Sequence, residues 1–214
     1  MNKIILHHVV PQVFRSRTDL QSEIWDNQIC FEKGTTYLVE AASGTGKTTL
    51  CSYLMGYRCD YSGKILFDDH DALALGKEQW TTIRQRHISM LFQELRLFPE
   101  LTAWENVDIK NRITHHKTPE EINQWFEQLG IADKKNKPVG QMSIGQQQRV
   151  AMMRALAQPF DFLLADEPVS HLDNHNAMLL ADIMIAEVNR QHAGLIVTSI
   201  GKHFELPYHH IIRL

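Results

Sequence analysis

The run Ala42-Ser43-Gly44-Thr45-Gly46-Lys47-Thr48-Thr49 constrains this chain more than any other stretch. It follows a short apolar segment, Tyr37-Leu38-Val39, and leads into Leu50-Cys51-Ser52-Tyr53-Leu54-Met55, which reads as a helix. Strand, glycine-rich turn and helix in that order are the context a phosphate-binding loop needs. Gly44 and Gly46 lack side chains, so backbone N–H groups can approach phosphate oxygens closely. A helix starting near Gly46 turns its positive dipole end toward the same anion. Lys47 then reaches the β and γ phosphates and Thr48 offers its hydroxyl to Mg²⁺, with Ser43, Thr45 and Thr49 completing the lining. The strict pattern has glycine at position 41, where this chain has Ala41. A glycine-rich connection that binds nothing is the competing reading, and the rest of the sequence has to decide against it.

The 214 residues suffice for one domain with a sizeable core and a small insertion, and 43 % hydrophobic with 22 % charged residues is a globular composition. A net charge of −3 gives no hint of a nucleic-acid or anionic-membrane partner. No apolar run approaches the roughly 20 residues of a membrane span. The segment Met1–His8 is too short in apolar residues for a signal peptide. Cys30, Cys51 and Cys59 are odd in number and lack CxxC spacing, so they read as reduced thiols, and a cytoplasmic location is expected.

Short β-type segments fill the first third of the chain: Ile4-Ile5-Leu6, Ile29-Cys30-Phe31, and Ile65-Leu66-Phe67 after a turn at Tyr61-Ser62-Gly63. Residues 94–157 read as mostly helical. Thr118-Pro119-Glu120-Glu121 is a capping box with proline in the first helical position, opening a helix that Gly130 closes. Phe162-Leu163-Leu164-Ala165 is an apolar run ended by Asp166-Glu167-Pro168, as in a buried parallel strand. Leu195-Ile196-Val197-Thr198 repeats the pattern after a helix from about Asn174 to Gln191. Strands alternating with helices predict a doubly wound α/β sheet, whose ligands sit outside the carboxyl ends of the strands. Ser43–Thr48, Asp166, Glu167 and Ser199 should converge there.

Further segments follow the loop in a fixed order. Ile88–Phe92 ends in Gln93; Leu97-Phe98-Pro99-Glu100-Leu101-Thr102-Ala103-Trp104-Glu105-Asn106-Val107 comes next; then Gln141-Met142-Ser143-Ile144-Gly145-Gln146-Gln147-Gln148-Arg149; then Phe162–Pro168 and Ser170-His171-Leu172-Asp173. With these segments the chain resembles the ATP-binding cassette (ABC) ATPases over essentially its whole length. Among them it is most similar to the short nucleotide-binding subunits of lipoprotein-releasing, macrolide-export and cell-division complexes. The resemblance implies a phosphate-loop NTPase core, residues 1–93 and 156–214, with an N-terminal antiparallel β layer and an inserted helical subdomain over about 94–155. It implies ATP and Mg²⁺ as cofactors. Asp166 would hold the metal's shell with Thr48 and Gln93; Glu167 would activate the attacking water; Gln93 would move with the helical part. Ser143, Gly145 and Gln146 would close over ATP held by a partner subunit, and Asp173 would link two active sites across a dimer. Ser143 can also simply cap a helix running to Ala157, and one geometry serves both ends.

Three departures from the family pattern stand out. Ala41 replaces a glycine at the strand end, which a negative φ would tolerate. Ile144 replaces the first glycine of the signature leucine-serine-glycine-glycine-glutamine. Ser199 stands where the family has its switch histidine after Val197-Thr198, and His203, four residues later, would lie about one helical turn away. Phe14 is the candidate for stacking on adenine, with a packed aromatic of a small β layer as the other reading. The adjacent pairs His7-His8, His115-His116 and His209-His210 read as solvated surface histidines, and Lys134-Lys135-Asn136-Lys137 as a solvated loop, with no nucleic acid expected.

By resemblance the chain is the ATP-hydrolysing subunit of a membrane complex, peripheral on the inner face of the membrane. It would pair as homodimer or heterodimer and drive a separate permease docked near Gln93–Val107. Two alternatives are a weakly active or regulatory subunit, suggested by Ile144 and Ser199, and an ABC ATPase outside transport acting on DNA or translation. The latter type usually carries insertions or a second cassette that this chain lacks.

Overall fold

Alternating burial along β1 (Lys3–Pro11) puts Ile4, Leu6 and Val9 inward, which makes one face of a four-stranded antiparallel sheet. In the computed structural model, which describes residues 1–17, 21–169, 174–201 and 203–214, that sheet runs β2 (Gln28–Glu32), β1, β4 (Tyr61–Phe67), β5 (His70–Asp71). The pairing of β1 with β4 shifts register between His7 and Val10, and His8 there has φ 47°. Opposite the bulge, a Cβ on Gly63 would lie 2.2 Å from the His8 carbonyl oxygen, so only glycine fits. The expected turn at Tyr61-Ser62-Gly63 is therefore the first half of a strand, because the glycine answers a bulge in the partner strand.

The second sheet is parallel and five-stranded: β6 (Ile88–Leu91), β7 (Phe162–Asp166), β8 (Gly194–Ser199), β3 (Thr36–Glu40), β9 (His210–Arg213). Every residue of β6, β7 and β8 is buried, so these runs are mostly apolar without alternation, with Ser89, Asp166, Thr198 and Ser199 as the buried polar residues. One face packs on the antiparallel layer and on α1 (Lys47–Leu54) through Leu6, Phe31, Tyr53 and Leu164. The other carries α3 (Ala103–Thr114), α4 (Pro119–Gln128), α5 (Ile144–Leu156) and α6 (Asn174–Arg190), sharing a core with Leu163, Ala165 and Val197. A further helix, α2 (Lys77–Arg86), precedes β6. The α/β class with an antiparallel layer is thus the observed one. No helix among the described residues is long and apolar enough to cross a membrane.

The helix boundaries follow local chemistry. Thr118 accepts from the Glu121 N–H and the Glu121 carboxylate accepts from the Thr118 N–H, with Pro119 at the first position and Gly130 at φ 63° after the end. Such a cap is worth about 1 kcal/mol.

Of the paired histidines, His8, His115, His209 and His210 are exposed as expected, while His116 is largely covered. His116 Nε2 lies 3.3 Å from Glu187 and 2.7 Å from Arg190; His209 Nδ1 takes the Thr36 N–H at 3.1 Å; His210 stacks on Tyr37. The pair His115-His116 splits because Glu187 and Arg190 of α6 meet the His116 ring, and neither is adjacent in sequence. Lys135 likewise lies over Trp104, its ammonium 4.1 Å from the ring centroid. Lys117 is 97 % buried in its side chain yet meets Glu187 at 2.8 Å and Glu121 at 3.1 Å. Burial alone would raise the Glu187 pKa, but hydrogen bonds from His116, Arg190 and Lys117 outweigh it and hold the carboxyl far below its usual range.

Candidate functional site

At the carboxyl end of β3 the chain leaves the sheet and turns through Gly44 and Gly46 into α1. Gly46 caps that helix at φ 104°, a conformation L side chains rarely adopt. A Cβ there would also meet Phe14 at 3.0 Å and Trp25 at 3.2 Å. Nothing lies within 4 Å of the Cβ position of Gly44, so the loop is open on that side to an anion. Ala41 has negative φ and its N–H donates to the Ser199 carbonyl at 3.0 Å, so the extra methyl does not disturb the strand end.

Six residues from four separate stretches of the sequence meet here. Lys47, 6 % exposed, has its ammonium 3.5 Å from Glu167 and 3.3 Å from the Ala42 carbonyl. The Thr48 hydroxyl donates to Asp166 at 3.1 Å, and the Thr198 hydroxyl donates to the other Asp166 oxygen. Gln93 Nε2 donates to Glu167 at 3.4 Å. Asp166 is 1 % exposed at the end of β7, where two hydroxyls fix its orientation. Glu167 follows with φ 47°, left-handed backbone that costs a residue with a side chain about 1–3 kcal/mol. Its N–H is anchored on the Thr198 carbonyl at 3.1 Å. That turn aims the carboxylate at Lys47 and Gln93 instead of along the strand. Hydroxyl and carboxylate oxygens on Thr48 and Asp166 are the hard donors Mg²⁺ prefers, so the residues present fit that ion.

Other expected residues fall elsewhere. Phe14 borders the loop, but it is 8 % exposed, tilted against Trp25, with the Arg17 guanidinium 5.3 Å over its face. A small cavity of about 220 Å³ lies between Phe14, Arg17, Trp25 and Thr45. Ser143 and Gln146 form a reciprocal cap at the start of α5, at 3.3 and 3.0 Å. Ile144 beside them is 50 % exposed. Ser199 is fully buried, its backbone paired with Glu40. His203 does not sit on a helix, since residues 203–208 are irregular; its Nδ1 is 2.8 Å from the Phe204 carbonyl and its ring meets Tyr208 edge-on. Asp173, with Ser170, His171 and Leu172, lies outside the described residues.

Three contributors escaped the sequence reading. Trp25 donates its indole N–H to the Thr45 carbonyl at 3.0 Å while its ring backs Gly46. Thr198 orients Asp166. Arg154, on α5, donates to the Leu95 and Arg96 carbonyls at 2.6 and 2.7 Å. Leu95 and Arg96 are consecutive left-handed residues, φ 59° and 49°, just after Gln93. Two hydrogen bonds from a charged donor offset that strain. Only Thr198 carried a signal, a hydroxyl at the strand end beside the strand that ends in Asp166. Cys51, buried on α1, is no nucleophile: burial and then the Asp166 charge push its thiol pKa well up.

A parallel sheet with a glycine-rich loop before α1, and a carboxylate pair at the end of the neighbouring-but-one strand, defines a phosphate-loop nucleotide-binding protein. A sequence profile of the family described as "ABC transporter" matches residues 26–170. The chain is 30 % identical over 199 residues to the uncharacterized ABC transporter ATP-binding protein YbbA of Escherichia coli, covering 92 % of this chain and 86 % of that one. It is 31 % identical over 193 residues to the macrolide export ATP-binding/permease protein MacB of Aggregatibacter actinomycetemcomitans, covering 88 % of this chain and 30 % of MacB. Its fold matches the ATP-binding cassette MJ0796, solved as a dimer in a post-hydrolysis state bound to ADP and Pi, with TM-score 0.74 and 25 % identity over 92 % of this chain and 87 % of that one. The chain belongs to the ABC transporter family as an ATP-binding subunit, an ABC ATPase.

Proposed function

We propose that Glu167 is the base that activates water against the γ-phosphate, and that Lys47 with the N–H groups of residues 43–49 holds the phosphates. The meeting of Lys47, Gln93 and Glu167 within hydrogen-bond or ion-pair range supports this more than any other observation. Mg²⁺ bound with ATP supplies charge neutralisation, and Thr48, Asp166 and Gln93 are the residues that would hold it. Lys47 now balances Glu167; a phosphate that draws Lys47 away frees that carboxylate to take a proton from water. Ser143, Gly145 and Gln146 serve ATP on a second subunit, of this or a similar chain, and Asp173 joins the two sites. The helical part, residues 94–155, turns against the core formed by 1–93 and 156–214. A separate permease receives that motion at the cytoplasmic face of the membrane.

The test is Glu167→Gln. It should keep ATP binding, lower turnover by about 10²-fold or more, and trap an ATP-bound dimer visible by gel filtration. Hydrolysis at the wild-type rate would remove Glu167 as the base. A second reading, a slow or regulatory subunit, is favoured by Ser199, which is fully buried, and by Ile144, half-exposed where the signature normally has glycine.

A further inference from the structure

Three consecutive glutamines near the start of α5 send their side chains to three different places. Gln146 Oε1 accepts the Ser143 N–H at 3.0 Å, and Gln147 Nε2 donates to the Met142 carbonyl at 3.0 Å, so both turn back on the beginning of their own helix. Gln148 instead crosses to the chain that leaves β7. Its Nε2 donates to the Pro168 carbonyl, 20 residues further on, in a buried bond. Gln148 is 2 % exposed, and its Oε1 has no hydrogen-bond partner among the described residues. Exchanging the two amide atoms would not help, since the Pro168 carbonyl can only accept and needs the NH₂ against it.

A buried amide with one end unmatched costs stability, and a methionine or leucine would fill the same space without that cost. What the bond holds gives it a purpose. Glu167, the residue before Pro168, has φ 47°, a strained conformation that persists only where the surroundings impose it. Its own N–H is fixed on the Thr198 carbonyl at 3.1 Å. Pro168 has no N–H, so its carbonyl is the only backbone hydrogen-bonding group that residue offers. β8 therefore grips the turn on one side of the Glu167 side chain and α5 on the other. Between these anchors the carboxylate reaches Lys47 at 3.5 Å and Gln93 at 3.4 Å.

We propose that Gln148 is a positioning residue for Glu167: its amide, by holding the Pro168 carbonyl, keeps the left-handed turn that aims the Glu167 carboxylate. The inference rests on the reading of Glu167 as the base that activates water. Gln148 acts through the backbone alone. Its loss lets the turn relax toward unstrained backbone and swings the carboxylate off its line, where a displacement of about 1 Å can lower a rate by up to about 10²-fold. Lys47 and the N–H groups of residues 43–49 belong to α1 and the loop before it, so ATP binding is spared.

The test uses Gln148→Met, which keeps the length and removes the donor, and Gln148→Glu, which keeps the shape. Gln148→Met should lower kcat about tenfold, leave the Kd for ATP within about twofold, and shift Tm by about 5 °C or less. In single-turnover hydrolysis, adding it to Glu167→Gln should lower the rate by less than about twofold more, because Gln148 acts only through that carboxylate. Gln148→Glu can donate to the Pro168 carbonyl only while its carboxyl is protonated, and burial raises the pKa of that carboxyl. Its kcat relative to wild type should therefore fall several-fold between about pH 6 and about pH 9. If Gln148→Met does not fold, this pH profile decides alone. Wild-type kcat in Gln148→Met, a tenfold fall that recurs in full on the Glu167→Gln background, or a pH-independent ratio for Gln148→Glu overturns the inference and leaves Glu167 as the base. Hydrolysis at the wild-type rate by Glu167→Gln itself removes the base reading, and this inference with it.

Discussion

At the carboxyl end of the parallel sheet, bonds join residues distant in sequence: Thr48 to Asp166, Lys47 and Gln93 to Glu167. At the start of α5, by contrast, the Ser143 and Gln146 side chains bond to each other's backbone N–H, three residues apart. The first region is preorganised by the fold of a single chain, since none of its contacts exists until strands β3, β6, β7 and β8 are aligned. The second is a capped helix end that needs no distant partner to form and, on the proposed function, acts only when a second subunit brings a phosphate to it. On the proposed function, one region would carry binding and the other the dependence of turnover on dimerisation.

The largest effect expected is on the first region. Lys47→Ala removes charge-assisted contacts to phosphate worth about 1.5–3 kcal/mol each, so the Kd for ATP should rise by at least about 10²-fold in calorimetry. Equal affinity in wild type and variant would remove the phosphate-loop assignment. Ser143→Ala sharpens the comparison from the other side. It should lower turnover by about 10²-fold while isolated subunits bind ATP as before, with about 1 kcal/mol of stability lost from the cap. A fall in ATP affinity of the isolated subunit would break the division drawn here.

The departures Ser199 and Ile144 give a smaller effect of opposite sign. Ser199→His should add a donor that strengthens as charge develops in the transition state. Ser199 is fully buried, however, so the larger ring has to be accommodated at about 1–3 kcal/mol, and the net gain in phosphate release should be about tenfold. A gain seen only when Ile144→Gly is added would assign the defect to the subunit contact. No gain in either variant would mean that these residues do not slow the enzyme. The smallest effect is Trp25→Phe, which keeps a ring behind Gly46 and loses one hydrogen bond to Thr45. A loss of about 1 kcal/mol, or roughly fivefold in ATP affinity with kcat unchanged, is expected from titration. A change in kcat at constant affinity would show that Trp25 does not act through the loop.

The parts of the site legible in the sequence are those whose chemistry is local. A loop of glycines before a helix, a run of buried aliphatics ended by two acids, and Thr118-Pro119-Glu120-Glu121 announce themselves within a few residues. Trp25 could not be found this way: its partner, the Thr45 carbonyl, lies 20 positions on, and an indole among mixed residues looks like any core aromatic. Gly63 misled for a related reason, because the bulge that requires it belongs to β1. His116 was misread because Glu187 and Arg190 of α6 meet its ring, and neither is adjacent in sequence.

Arg154 has a mechanical consequence. It sits near the end of a helix of 13 residues that begins right after Ser143, so the two are joined by a stiff rod of about 16 Å. Its guanidinium grips the carbonyls of Leu95 and Arg96, two and three residues after Gln93, and the same side chain lines a groove beside β6. On the proposed function, tilting the rod at its Ser143 end would pull on the backbone beside Gln93 and move the glutamine relative to Glu167. On that reading α5 would act as a lever with the Leu95 and Arg96 carbonyls as its linkage, carrying displacement between its Ser143 end and the glutamine without any part having to unfold.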